Sequence, residues 1–224
     1  EDETRIPFEE RVLYRDDHIL VADKPHFLPV IPSGRFLQET LLVRLKNKFG
    51  LNDLVPIHRI DRETAGVVVF SHNPETRGAY ASLFQRYEVQ KVYEAVAPVD
   101  SDLHFPLVRA SRIARGKPFF RMQEIEGEPN AVTRIDLIEM TGNFACYELK
   151  PHTGRKHQLR VHMAALGIPI VNDRIYPVAQ PEFPENFSAP LQLLARSVSF
   201  EDPLTQRPRC FESAMQLMKM GEGQ

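Results

Sequence analysis

Short apolar runs of β character, each bounded by turn residues, recur along this chain without alternating with its helical segments. Residues 18–22, 67–70 and 89–97 read as strands, and so do 131–138, 144–149 and 191–200. The run at 67–70 is Val-Val-Val-Phe, β-branched and short enough for a buried strand. Segments 131–138 and 144–149 form a hairpin in this reading, with Thr141-Gly142-Asn143 as its turn. Helical spacing is confined to a few stretches. Residues 37–49 place Leu41, Leu42, Leu45 and Phe49 on one stripe and stop at Gly50. A second helix starts at Asn73-Pro74, as N-cap and first helical residue, and runs to about Arg86. The third, 155–166, is closed by Gly167 with Pro169 beyond it. Pro25, Pro29 and Pro32 impose an irregular loop before the first helix. A doubly wound parallel sheet needs regular alternation of strand and helix, so the pattern argues against one. The pattern predicts an α+β fold, a mainly antiparallel sheet with a few flanking helices.

At 224 residues the chain suffices for one sizeable core and one or two domains. Hydrophobic and charged contents of 42% and 26% are those of ordinary globular proteins. No apolar run approaches the roughly 18 residues of a membrane span, and residues 1–5 lack the pattern of a signal peptide. Cys146 and Cys210 are too few for a disulfide framework, which points to a reducing cytoplasm.

A net charge of −2 does not advertise a nucleic-acid binder, but the distribution is uneven. Acidic residues crowd the amino end as Glu1, Asp2, Glu3, Glu9 and Glu10. Arg109, Arg112, Arg115, Lys117 and Arg121 then occur without one acidic residue between them, and Lys150, Arg155, Lys156 and Arg160 repeat that pattern. Two readings stay open from charge alone: a track for a phosphate backbone, or two solvated basic faces.

Three segments carry candidate chemistry. His58-Arg59-Ile60-Asp61-Arg62-Glu63-Thr64-Ala65-Gly66 sets a carboxylate between two arginines, just before the apolar strand. Nearby cations favour the charged form of Asp61, which suits it to nucleophilic attack; a surface ion pair is the plainer alternative. In Lys150-Pro-His-Thr-Gly-Arg-Lys-His-Gln-Leu-Arg160-Val-His162, the predicted helix puts His157 and Arg160 on one face. The glycine ahead of it lets backbone amides approach an anion. His157 and His162 would lie about 140° apart on that helix, so the histidines do not converge on a metal. Lys91-Val-Tyr93-Glu-Ala places a phenol beside a lysine on one strand face, able to stack on a base or to be a core tyrosine.

Together these segments resemble the RluA family of RNA pseudouridine synthases. The first is similar to that family's His-Arg-Leu-Asp-Arg-x-Thr-Ser-Gly signature, with Ile60 and Ala65 as departures. The second resembles Thr-Gly-Arg-x-His-Gln-Ile-Arg-Val-His, followed by Pro169-Ile-Val171 and Asp173. The third matches Lys-x-Tyr-x-Ala, Lys24-Pro25 resembles an early Lys-Pro, and Phe200-Glu-Asp-Pro203 matches the tail. Leu194-Ala195 stands where the family usually has His-Ala. The resemblance covers about residues 14–213 and no S4-like domain precedes it, so a single catalytic domain is expected.

The resemblance implies the pseudouridine synthase catalytic fold, a mixed, mainly antiparallel sheet split by a cleft. It implies Asp61 as nucleophile, Arg160 as its basic partner, and Tyr93 as the residue that stacks on the uracil and handles the C5 proton. Arg59 would fill the space left by the flipped base, with Arg62, Arg155 and Lys156 on phosphates. The expected partner is structured ribosomal or transfer RNA, acted on by a monomer with no cofactor, no metal and no membrane. A catalytically silent RNA-binding module would have been favoured by loss of Asp61, Tyr93 or Arg160; all three are present. The other rival, a metal-dependent hydrolase, lacks a ligand motif.

Overall fold

The computed structural model describes residues 3–180 and 186–218. In chain order the elements begin with β1 (Arg11–Arg15), β2 (Ile19–Lys24), α1 (Leu41–Phe49), β3 (Val55–Pro56), β4 (Ala65–Ser71) and α2 (Arg77–Gln85). They continue with β5 (Gln90–Pro98), β6 (Leu107–Arg115), β7 (Met122–Ile125), β8 (Ala131–Thr141) and β9 (Phe144–Pro151). The last are α3 (Gln158–Ala165), β10 (Leu193–Glu201) and β11 (Pro208–Glu212). They group into two compact units: Glu1–Gln90 with Ala195–Met215, and Lys91–Leu194 with Gln216–Gln224.

In the first unit, β2 pairs antiparallel with both β1 and β4, and β11 pairs antiparallel with β10. Every residue of β2 and β4 is buried, which is why they read as unbroken apolar runs rather than as alternation. Ile19, Val21, Val67 and Val69 pack with Tyr80 from α2 and with Val198, Phe200 and Phe211. Gly66, at φ 115°, lies so close to β10 that an added Cβ would sit 2.2 Å from the Ala195 carbonyl oxygen. No side chain fits there, which accounts for the glycine that ends the Asp61 segment.

In the second unit the strand order is β5-β9-β8-β6-β7. Neighbours in this order all pair antiparallel. The β8–β9 hairpin is the expected one, with Thr141 facing Phe144 and Gly142 at φ 62° in a two-residue turn. Strand β6 changes neighbour along its length: Leu107–Ser111 pair with β8, Arg112–Arg115 with β7. Ala95, Ile135, Tyr147 and Leu149 close the core against Leu159 and Met163 of α3.

All three helices start later than the sequence predicts, each because a side chain captures the preceding amides. Thr40 caps α1 by accepting from Val43 N–H, while the Glu3 carboxylate takes the amides of Leu37, Gln38 and Glu39. Asn73 closes a turn by accepting from Glu75 N–H, so α2 begins at Arg77 rather than Pro74. The Gln158 side chain accepts from Arg155 N–H, and His157 adopts φ 56°, so α3 begins at Gln158. His157 is therefore the residue before the helix and does not share a helix face with Arg160. Strands β1, β3, β6, β7 and β11 were not anticipated. No described helix is long and apolar enough to cross a membrane.

Candidate active site

Asp61 lies in the loop that leads into β4, and the loop is fastened on both sides of it. Upstream, His58 Nε2 accepts from Val69 N–H at 3.1 Å, and its ring stacks on Phe84 with centroids 4.7 Å apart. Thr64 N–H donates to the Asp61 carbonyl at 3.1 Å, closing a turn directly downstream. The Arg62 carbonyl accepts from Lys24 Nζ at 2.9 Å, and the Glu63 carbonyl lies 2.7 Å from His26 Nδ1. Asp61 itself is half-buried, Arg59 is exposed, and Thr64 is buried.

Lys24 is the residue whose role sequence reasoning missed in this unit. Its ammonium is fully buried and donates to the carbonyls of Pro25, Leu28 and Arg62. Burial pushes it well below the ordinary lysine range, while the charges of Asp61 and Glu63 act in the opposite direction. Three donors on three carbonyls satisfy an ammonium completely, so Lys24 acts as a strut beneath the Asp61 loop. Burial also drives His26 down to about 4, with the Lys24 charge adding to the fall. Arg62 sits over the Phe36 ring at 5.3 Å and lies 3.4 Å from a Glu63 oxygen.

In the second unit, Tyr93 of β5 faces Leu149 of β9 and packs partly against the core around Ala95 and Leu149. Lys91, two residues earlier, approaches the glycine of the second motif: a Cβ on Gly154 would lie 3.6 Å from its Nζ. Burial lowers the Lys91 ammonium. These two motifs therefore meet within one unit.

Arg160 projects from α3 and is 2% exposed. Its Nε donates to Asp173 Oδ2 at 2.8 Å and its Nη2 to Asp173 Oδ1 at 2.7 Å, a two-pronged pair. Asp173 Oδ1 also accepts from the amides of Ile175 and Tyr176. The Tyr176 ring carries the Arg160 guanidinium at 5.6 Å and that of Arg121 at 5.2 Å. Its hydroxyl accepts from Met122 N–H at 2.7 Å and lies 2.9 Å from His157 Nδ1. Burial raises the Tyr176 phenol. An open cavity of about 620 Å³ borders this cluster, walled by Ile170, Asn172, Asp173, Tyr176 and Pro177. The sequence offered a signal for Asp173 in its motif, but none for Tyr176.

The remaining cations divide by environment. Arg155 is exposed and its Nε donates to the Asn130 carbonyl at 3.1 Å, and Lys156 is exposed. Arg109, by contrast, is bound by both oxygens of Glu124. His162 is wholly buried between Ser111 Oγ and Thr133 Oγ1, each at 3.0 Å, and burial takes it to about 4. Among the described residues, no cluster of His, Cys, Asp and Glu could hold a metal ion.

Comparison with known proteins places these motifs in context. Residues 18–165 match the family model for RNA pseudouridylate synthase. The chain is 30% identical over 206 residues to a dual-specificity RNA pseudouridine synthase RluA of Haemophilus influenzae, covering 90% of this chain and 91% of that protein. It is 34% identical to tRNA pseudouridine synthase C of Vibrio cholerae, covering 88% and 87%. Against an uncharacterized RNA pseudouridine synthase of Synechocystis, 31% identical, it spans 60% of the relative's length. The solved structure of human RNA pseudouridylate synthase domain containing 4 superposes with a TM-score of 0.68 at 26% identity, covering 93% of this chain and 88% of that one.

Proposed function

The chain belongs to the RNA pseudouridylate synthase family, in its RluA branch, and we propose that it isomerises uridines of ribosomal or transfer RNA with Asp61 as nucleophile. What carries this reading is the Asp61 loop, fastened through His58, Arg62, Glu63 and Gly66 while Asp61 itself stays half-buried. A nucleophile must be held still and remain reachable, and that loop meets both requirements. Relatives named for RNA and transfer RNA pseudouridine formation support the substrate class.

The target uridine leaves its stack, a step costing a few kcal/mol and less in a loop. The Asp61 carboxylate attacks ribose C1′ or uracil C6. The bond between N1 and C1′ breaks, the uracil turns, and C5 bonds to C1′. Loss of the C5 proton, protonation of N1 and release of the carboxylate complete an isomerisation in which no atom or electron is gained. Tyr93 stacks on the uracil and takes part in moving the C5 proton. Arg160 is the basic group that serves the aspartate in this family resemblance. Arg59 fills the space vacated by the base, and Arg62, Arg155 and Lys156 meet phosphates, which position RNA without specifying it. In this reading the chain is a single catalytic domain that acts as a monomer in the cytoplasm.

The test is to incubate the protein with unmodified ribosomal and transfer RNA transcripts and to map pseudouridine at nucleotide resolution. Conversion at a few positions, absent with Asp61→Asn, is expected. RNA binding without conversion of either pool would restore the silent-module reading.

A further inference from the structure

The β6–β7 hairpin ends in residues 116–121, Gly-Lys-Pro-Phe-Phe-Arg, and the tip is closed by its own backbone. Gly116 N–H donates to the Arg121 carbonyl, and Arg121 N–H donates to the Pro118 carbonyl, both at 2.9 Å. The second bond makes 118–121 a turn whose two central residues are Phe119 and Phe120. Turns normally place Gly, Asn, Asp or Ser there, for conformational reasons that phenylalanine does not serve. Nor does Phe119 serve the core, being 87% exposed, while Phe120 meets it edge to face at 5.7 Å.

The tip is anchored at one corner. Arg121 stacks over Tyr176 and donates to the Pro177 carbonyl. Arg115 and Lys117, which precede the aromatic pair in the chain, are exposed. No acidic residue lies between 107 and 121, and Glu124, nearest after it, is bound to Arg109. A hydrogen-bonded tip anchored through Arg121, an exposed aromatic face and flanking cations are the components of a stacking platform for an unpaired base with its phosphates.

We propose that Phe119 stacks on an unpaired nucleobase of the RNA, outside the uridine that reacts, with Arg115 and Lys117 on the adjoining phosphates. The proposal rests on the RNA-modifying reading above. It goes beyond the basic segment alone, because stacking and charge have different signatures. Each phosphate neutralised releases counterions and steepens the salt dependence, whereas stacking adds affinity without doing so.

The experiment measures binding of the wild-type chain, F119A, F119W, F119L and K117A to single-stranded oligouridylate and to a fully paired RNA duplex, at several salt concentrations. F119A should bind the single strand about 5- to 10-fold more weakly, with the wild-type salt slope. Duplex binding should not change. F119W should restore affinity and F119L should not, since leucine offers no ring face. K117A should flatten the slope by about 0.7. Wild-type affinity in F119A overturns the proposal, as does equal loss on strand and duplex, or full rescue by F119L. Loss of binding to anionic lipid vesicles in F119A, with RNA affinity intact, would assign the tip to a membrane surface instead. Absence of pseudouridine formation by wild-type chain is a failure of the reaction reading, and is read from a different assay.

Discussion

Asp173 holds the Arg160 guanidinium by both prongs, at 2.7 and 2.8 Å, and both side chains are almost fully buried. The same carboxylate caps the turn at Ile175 and Tyr176, so one residue fixes the arginine and the wall of the adjoining cavity. Removing one partner of such a pair leaves a buried charge, at a cost of about 3–5 kcal/mol. Asp173→Ala should therefore lose about that much stability in chemical denaturation. Asp173→Asn, which keeps the Oδ1 acceptor, should lose less. Arg160→Lys should also fall short of wild type, because an ammonium cannot reproduce the fork. Wild-type stability in Asp173→Ala would show that the pair contributes nothing.

Asp61→Asn should abolish pseudouridine formation while the chain stays folded and keeps much of its RNA affinity. The loop is held by the backbone carbonyls of Arg62 and Glu63 and by the His58 ring, none of which the substitution alters. Sustained turnover by pure Asp61→Asn protein would remove Asp61 as nucleophile.

What could be read from sequence was what is encoded locally. The segment 58–66 concentrates turn chemistry and charge in a few residues, and the β8–β9 hairpin announces itself by alternation around Gly142-Asn143. The first helix start was misplaced because its competing acceptor lies elsewhere, Glu3 reaching amides more than thirty residues away; at the other two the side chains of Asn73 and Gln158 turn onto amides two and three residues off. The β6–β7 hairpin was hidden because its exposed positions mix Val108, Ala110 and Ile125 with Arg112 and Arg115, so no apolar–polar alternation marks it. The Lys24 strut needed the structure, since carbonyls of Leu28 and Arg62 carry no mark in the sequence. Gly66 was visible as a motif residue, but its reason, the approach of Ala195, was not.

Tyr93→Phe separates stacking from proton movement. The ring packs partly on the core beside Ala95 and Leu149, and phenylalanine preserves that surface. The variant should fold and bind RNA as wild type, and lose most of its turnover if the phenol handles the C5 proton. Rates near wild type would leave Tyr93 a stacking residue alone.

His26 and His162 make stability depend on pH between neutral and mildly acidic conditions. Burial is the main cause of lowering in both, from 6.5 to about 4. Above pH 6.5 both imidazoles are neutral in folded and unfolded chains, so they impose no slope. Between 6.5 and 4 the unfolded chain takes up protons that the native chain does not, and stability falls as pH falls. At pH 5 the loss is about 2 kcal/mol for each histidine. The depressed carboxylates Asp16, Glu39, Glu124 and Asp202 act only at lower pH, since their unperturbed values are 3.8 and 4.5. Urea denaturation at pH 7 and pH 5 measures the difference, and His162→Gln should shrink it. Equal stability at the two values would contradict the burial account.

Salt dependence separates cations that meet RNA from those already satisfied within the protein. A net charge of −2 argues against strong binding to any polyanion, so local patches must supply the contacts. Arg112 is exposed, its Nη1 3.5 Å from the Glu128 carbonyl, and Lys156 is exposed beside the Arg160 helix. Arg109 is bound to Glu124 and serves as the comparison. For single-stranded RNA the log–log slope is about −0.7 per phosphate contact. Arg112→Ala and Lys156→Ala should each flatten the slope by about one contact, and Arg109→Ala should flatten it by less. Phosphates carry no sequence, so the first two variants should lose affinity for target and non-target RNA by similar factors. Titrations at several salt concentrations give every slope. Unchanged slopes in Arg112→Ala and Lys156→Ala would return both basic segments to solvated surface.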